Sequence, residues 1–343
     1  MGNTRRWRLQ ALMPMLLLLA TACWRAQAEP GDLCITELGK IGPGLSTHDE
    51  QHGTMKKWTK VQELLGEQSG HVVIKHLATD LGGNTSVRNE LPLQWKDKGY
   101  FRRARDLGQV FTAPYDFTLT AIVLRTGPAH LAFLPGAAGA EVFVQFFEVA
   151  GTPVINDNGT PPGTHAKHGF STNHRCDDFL EGVAYRPLRV VKGGRLPDLT
   201  TNGDGRLTYM KWAFTGPDAL RFERGKRYAF MVGFVEAGPE RNFALANHND
   251  AGSPLPPALN DADHAYDGGW AIRREGNGRT PPLMIPGDRP PSDPAKLDQL
   301  KAESAFPEGD AHYAISPTTR GFPDVDTYRD HEFYILARPE RQK

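Results

Sequence analysis

Short segments in which apolar and polar residues alternate follow one another along most of this 343-residue chain. A period of two is typical of β-strands, because successive side chains of a strand point to opposite faces of the sheet. The segments predicted as strands are 71–77, 106–113, 117–126, 141–149, 185–193, 206–215, 227–236, 242–249, 268–275 and 331–338. Because no helical pattern separates the first nine of them, they predict an all-β fold, an antiparallel β-sandwich, rather than an α/β sheet.

The segment 117–126 predicts an inner strand, because both of its faces are partly apolar. Strict alternation assigns Phe117, Leu119, Ala121 and Val123 to one face, and Ile122 and Leu124 to the other. Trp212 falls between two apolar residues of its strand face and is predicted to lie in the core.

Helical periodicity is predicted only outside these strands. Residues 29–70 are predicted as an N-terminal helical segment, with a short helix at 53–66, where apolar residues recur at helical spacing before a glycine. A second short helix is predicted at 292–306. The sandwich is expected to occupy residues 71–343, with long loop insertions at 150–184 and 250–330, and loops of that length are often functional.

The first 28 residues have the pattern of an export signal. A basic start precedes a short apolar run, and Ala26-Gln27-Ala28 forms a small-x-small cleavage site, which predicts a secreted or periplasmic protein. The alternative is a lipid anchor at Cys23, because the preceding residues are close to a lipobox. The apolar run is too short to span a bilayer, and no later segment predicts a transmembrane helix.

Charge and cysteine content limit the partners. Removal of the signal would leave 36 basic and 40 acidic residues, a net charge of −4 with the two signs mixed, which predicts no nucleic-acid partner. Cys34 and Cys176 would remain. They either form a disulfide in an oxidising compartment or are two unrelated thiols. The oligomeric state is left open.

Three stretches between Leu107 and Phe234 carry a resemblance: "DLGQVFTAPYDFTLTAIVLRT", "VFVQFFEV" and "MKWAFTGPDALRFERGKRYAFMVGF". Together they resemble secreted bacterial β-sandwich modules of the jelly-roll, carbohydrate-binding or galactose-binding-like class. The matching residues are mostly core and turn residues. The resemblance therefore implies the fold and says little about the ligand.

The segment "NDADHAYDGGWAIRRE" has the composition of a glycan site. A sugar packs its C–H face on an aromatic ring, and its hydroxyls need polar partners. The predicted ligand-binding residues are Tyr266, Asp267, Trp270 and Arg273, together with Tyr100 and Arg103 of the basic run "GYFRRARD". The alternatives are that Trp270 is a core residue, because it shares a strand face with Ile272 and Arg274, and that the basic run is a charged edge strand.

Four acidic residues near the last strand predict a structural calcium site: Asp324, Asp326, Asp330 and Glu332. Alternation would place Asp330 and Glu332 on one face of a strand. The alternative is that these are surface acids with no metal.

Three functions remain open from the sequence. The first is a polysaccharide-binding protein. The second is a polysaccharide lyase or glycoside hydrolase, whose candidate catalytic residues would be His174, Arg175 and Asp177, with the histidine removing a proton beside a uronate carboxylate. The third is a non-catalytic structural protein of the cell envelope. No nucleophile elbow, phosphate-binding loop or dinucleotide motif is present in the sequence.

Overall fold

The structure is a computed structural model that describes residues 33–41, 72–76, 83–91, 104–126, 133–153, 182–199, 207–214, 220–249, 266–276, 279–285, 321–325 and 329–339. These residues are organised almost entirely as β-strands. In chain order the strands are β1 (Leu33–Ile41), β2 (Val72–His76), β3 (Gly83–Leu91), β4 (Ala104–Thr112), β5 (Phe117–Arg125), β6 (Glu141–Gly151), β7 (Val183–Arg195), β8 (Leu207–Phe214), β9 (Arg221–Phe222), β10 (Arg227–Phe234), β11 (Gly238–Pro239), β12 (Asn242–Asn249), β13 (Ala271–Glu275), β14 (Asp324–Val325), β15 (Arg329–His331) and β16 (Phe333–Pro339).

The strands form two sheets that pack face to face. Sheet A has the order β1-β8-β5-β16-β2, with β9 beside β5. Sheet B has the order β15-β12-β3-β4-β10-β6-β7, with β13 on the free edge of β4 and β14 beside β13. Apart from the two-residue pairing of β11 with β3, the pairs are antiparallel. The predicted all-β sandwich is confirmed.

The main core lies between the two sheets and is rich in aromatic rings. Sheet A contributes Trp212 and Phe117, and sheet B contributes Phe146 and Phe230, all fully buried. Full burial of such a side chain stabilises the fold by about 1.5–3 kcal/mol. The prediction that Trp212 is a core residue is confirmed.

Both sheets also bury apolar residues on their outer faces. The outer cluster of sheet A contains Ala121, Val123, Tyr209, Tyr334 and Leu336. The outer cluster of sheet B contains Val110, Phe147, Val149, Val183, Tyr185, Ala229, Met231 and Ile272, with Trp270, Met284 and Phe322 packed against it. A strand buried on both faces has no polar side to alternate with, which explains the nearly continuous apolar runs of β5 and β10.

The faces of β5 differ from the strict alternation expected from the sequence. Phe117 and Leu119 point into the main core, and so do Ile122 and Leu124, whereas Ala121 lies in the outer cluster. The cause is a register shift in the pairing with β16, where Leu336 pairs with Ala121 but Ala337 pairs with Leu119. One extra residue in a strand reverses the face of every residue that follows it. The predicted grouping of Phe117, Leu119, Ala121 and Val123 on one face is therefore wrong.

The ten predicted strands are present, with ends shifted by a few residues. Six strands were not predicted: β1 and β3, of nine residues each, and β9, β11, β14 and β15, of two or three residues each. Strand β1 corrects the prediction of helix for part of the range 29–70: Leu33 and Ile35 alternate with exposed residues and are buried in the main core. The predicted helices at 53–66 and 292–306 lie outside the described residues. In the described part of the chain, no helix has the length and apolar character that a membrane crossing requires.

The last part of the chain passes from one sheet to the other. Strand β15 pairs with β12 in sheet B, and β16 pairs with β5 and β2 in sheet A. The crossing occurs at Glu332, whose amide donates to the Ala246 carbonyl at 3.0 Å and whose carboxylate pairs with Arg125 at 2.5 Å. This buried ion pair links the two sheets where the strand changes direction.

Candidate functional site

Tyr266 lies between the two sheets rather than on an exposed loop. Its ring is 5.2 Å from that of Phe333 and 5.3 Å from that of His76, and its backbone amide donates to an oxygen of Asp330 at 3.1 Å. Burial raises the pKa of the Tyr266 phenol above its ordinary value, and the nearby Asp330 charge acts in the same direction. The ring is only partly exposed and packs against the main core.

Trp270 lies on the opposite face of sheet B. Its carbonyl accepts the Val110 amide at 2.8 Å, which continues the pairing of β13 with β4 and directs the indole to the outer face. The indole Nε1 donates to the Tyr185 hydroxyl at 3.1 Å, and the Arg227 guanidinium lies 5.3 Å from the ring centroid. Trp270 is half-buried, so part of the ring stays accessible.

The contact between Trp270 and Tyr185 requires a concave sheet. Their strands β13 and β7 are separated by β4, β10 and β6. Four strand spacings of about 4.8 Å amount to about 19 Å along the sheet. Two side chains attached that far apart on a flat sheet would not meet, so sheet B curves toward them between β13 and β7.

Arg227 belongs to the same surface. It precedes the inward-facing Tyr228 on β10 and therefore points outward, beside Thr112 of β4 and Val149 of β6. Its Nη1 donates to the Thr152 hydroxyl at 3.1 Å. We use the name Trp270 site for Trp270, Tyr185, Arg227 and Thr152.

The Trp270 site lies at one end of the sandwich, where several turns are joined by hydrogen bonds. The Ala113 amide donates to the Lys226 carbonyl at 3.0 Å, and the Ala113 carbonyl accepts the Gly225 amide at 2.8 Å. The Thr112 hydroxyl donates to the Gly268 carbonyl at 2.7 Å. These bonds hold Tyr115, an exposed ring at 43% of its maximal area, at the same end of the molecule.

Further along the outer face of sheet B, three polar side chains are buried together. The Arg274 Nε and Nη2 donate to one oxygen of Asp106 at 3.0 and 2.6 Å, and Nη1 donates to Gln145 at 2.7 Å. The Pro282 carbonyl accepts a further bond from Nη1 at 3.3 Å. Burial lowers the pKa of the Arg274 guanidinium, while the Asp106 charge opposes that shift. The arrangement satisfies its own polar groups, which is typical of a structural ion pair.

The structure places the other residues of the segment 266–274 in different environments. Asp267 is exposed in the turn after Tyr266. Arg273 is buried, with 4% of its area exposed, and its backbone pairs with Leu107 and Asp324. Trp270, Ile272 and Arg274 share one face, as their alternation predicts. Tyr266 and Trp270 pack on different clusters, so they do not form one continuous aromatic shelf; their roles in ligand binding stay predictions.

The predicted calcium ligands do not act as one group among the described residues. Asp330 accepts hydrogen bonds from the Gln109 side chain at 2.6 Å and from the Tyr266 amide, whereas Glu332 pairs with Arg125. Asp324 is part of β14, and Asp326 lies outside the described residues. Within the described ranges, no group of three or more His, Cys, Asp or Glu side chains is placed to hold a metal ion.

Several predicted residues fall where the structure gives no description. These are Tyr100, Arg103, His174, Arg175, Asp177 and Cys176. Cys34, the proposed partner of Cys176, is exposed on β1. The predicted disulfide and the predicted catalytic group therefore stay predictions.

Sequence reasoning missed four residues of this surface: Tyr115, Thr152, Tyr185 and Arg227. The sequence does carry a signal for Arg227, because it begins a strand whose next residue, Tyr228, continues the inward apolar positions. No signal in the sequence places it beside Trp270, since that proximity depends on which strands are neighbours.

The sequence matches no protein-family model and no curated protein, and the fold matches no solved structure.

Proposed function

We propose that this chain is an exported polysaccharide-binding protein and that the Trp270 site binds the saccharide. The observation that carries the proposal is the indole of Trp270, which is partly accessible and held in one orientation by Tyr185 and Arg227 on a concave sheet face. The export pattern of residues 1–28, with cleavage after Ala28 or lipidation at Cys23, agrees with a ligand outside the cytoplasm.

The indole of Trp270 is held in place before any ligand binds. Immobilising a side chain on association costs about 0.5–1.5 kcal/mol. The Trp270 ring has lost that freedom already, because its Nε1 is bonded to Tyr185 and one side packs against the outer cluster of sheet B. The accessible part of the ring can contact the C–H groups of a sugar without a further ordering cost.

Polar groups around the indole suit the hydroxyl rim of a sugar. Arg227 has guanidinium donors beyond the one that Thr152 accepts, and the Thr152 hydroxyl is exposed. Tyr115, at the same end of the sandwich, adds a second exposed ring for a longer chain of sugar units. A site composed of aromatic planes and fixed hydrogen-bonding groups is typical of saccharide recognition.

The test is a binding measurement on a panel of neutral and acidic polysaccharides by affinity electrophoresis and calorimetry. We expect Trp270→Ala to weaken binding of the best polymer at least tenfold, equivalent to about 1.4 kcal/mol. Tyr115→Ala should weaken it less, because that ring lies outside the Trp270 site. Tyr185→Phe keeps the aromatic surface and removes only the bond that orients the indole, so its effect should be intermediate.

Unfolding midpoints of the variants separate lost binding from lost structure. Binding that is unchanged in folded Trp270→Ala would contradict the proposal. New reducing ends, or absorbance from unsaturated uronates, during incubation would favour the polysaccharide-active enzyme instead.

A further inference from the structure

Several charged residues near the Trp270 site are paired with acids. Lys226 pairs with Glu223 at 2.7 Å, Arg221 lies 3.4 Å from Asp116, and Arg186 pairs with Glu148. Arg227 differs: in the described part of the chain it contacts an indole ring and a threonine hydroxyl, but no carboxylate.

The orientation of Arg227 is fixed by these two contacts. The guanidinium carbon lies 5.3 Å from the centroid of the Trp270 ring, which makes a cation–π contact. The bond from Nη1 to Thr152 defines the position of the group along the strand. Because a guanidinium has five donors in a rigid fork, a group held in this way keeps donors that match two oxygens of one anion.

We propose that the saccharide bound at the Trp270 site is anionic and that Arg227 binds its charged group, the carboxylate of a uronic acid or a sulfate ester. This inference rests on the proposed function. An acidic sugar would place its oxyanion on the guanidinium fork and its ring C–H groups against the accessible part of the indole. Bidentate pairing of arginine with an oxyanion is both stronger and more directional than a bond to a neutral hydroxyl.

A structural role for Arg227 makes a different prediction. If the arginine only covers the indole, its replacement should affect neutral and acidic polymers equally. If it binds an anion, its replacement should weaken acidic polymers much more than neutral ones. The decisive comparison is therefore one polymer with and without its charge.

The experiment measures dissociation constants of the full chain for polygalacturonate and for its methyl ester, and in a second arm for dextran sulfate and dextran. The first arm detects a carboxylate ligand and the second a sulfate ligand. We expect Arg227→Gln to weaken the preferred acidic polymer at least tenfold more than it weakens the neutral counterpart of that polymer. Arg227→Lys keeps the charge but not the fork, so it should recover only part of the affinity.

Arg195→Gln is the matched control, because it removes the same charge from an exposed arginine. In the strand register, Arg195 lies opposite Glu141 at the far end of β6, whereas Arg227 lies opposite Val149. The two arginines are therefore eight residues apart along β6. At about 3.4 Å per residue the separation is about 27 Å, well beyond a Debye length of about 8 Å at physiological ionic strength.

Three results would overturn the inference. Equal binding of the charged and neutral polymers by the wild type would show that the anion is not recognised. An equal loss in Arg195→Gln and Arg227→Gln would show that only the overall charge matters. In both cases a loss in Trp270→Ala would leave the proposed function intact. Binding of no polymer at all would contradict the inference and the proposed function together.

Discussion

Replacing Asp106 by asparagine tests whether the buried ion pair with Arg274 stabilises the sandwich. Asp106 has 4% of its area exposed and Arg274 none, so the substitution leaves a guanidinium without its counter-charge inside the outer face of sheet B. Breaking a buried pair in this way typically costs about 3–5 kcal/mol. With a urea m-value of about 3 kcal/mol/M, the unfolding midpoint should fall by about 1–1.7 M.

The control is the exposed pair of Arg186 and Glu148, whose arginine side chain is 69% exposed. Glu148→Gln should change the free energy of unfolding by less than about 1 kcal/mol, because water already solvates both groups. Combining Asp106→Asn with Arg274→Met should recover part of the loss, with a coupling energy of about 2 kcal/mol. Equal effects of the two single acid substitutions, or a coupling energy near zero, would refute the reasoning.

Three further substitutions have expected effects on the stability of the fold. A methyl group at Gly233 would overlap the Asp106 carboxylate and approach the Phe143 ring, so Gly233→Ala should destabilise the fold by about 1–3 kcal/mol in urea unfolding; an unchanged midpoint would mean that Asp106 can move freely. Tyr185→Phe should cost about 0.5–1.5 kcal/mol and change the fluorescence of Trp270, and the absence of both effects would argue against the Nε1 bond. Burial raises the pKa of Tyr266, so the folded state holds the phenol proton more tightly than the unfolded chain does. The resulting contribution to the free energy of unfolding is complete below about pH 10 and is lost as the pH rises further. Unfolding followed against pH should lack this dependence in Tyr266→Phe.

The strands themselves could be predicted from the sequence, because burial of one face imposes alternation on most of them. The exceptions have physical causes. Strand β3 has the sequence GNTSVRNEL, in which few residues are apolar, and its pairing with β12 supplies the order that its side chains do not. Strand β1 lies far from the other predicted strands in sequence and joins sheet A only through β8.

The face of each residue could be predicted only where a strand is regular. In β5 the register shift near Leu119 carries Ile122 and Leu124 back to the main core, and nothing in the apolar run 117–125 marks that irregularity. Where both faces are apolar, as in β5, the sequence contains no contrast from which a change of face could be read.

Asp330 and Glu332, two of the four predicted calcium ligands, contact different partners for a related reason. Alternation treats Asp330 and Glu332 as neighbours on one face, which holds only if residues 329–339 form one strand. The chain instead leaves sheet B after His331 and enters sheet A at Phe333, so Asp330 meets Gln109 while Glu332 meets Arg125.

The surroundings of Trp270 show why the neighbours of a side chain on a sheet face could not be predicted from the sequence. The sequence groups Tyr266 with Trp270 because they are four residues apart, but the backbone passes from the space between the sheets to the outer face over that interval. The residues that do surround the indole come from β7, β10 and the end of β6, far away in sequence. Local periodicity predicts the face of a side chain, whereas a site on a concave sheet is defined by strand order and curvature. Arg227 therefore lies beside Trp270 only because β10 is placed between β4 and β6.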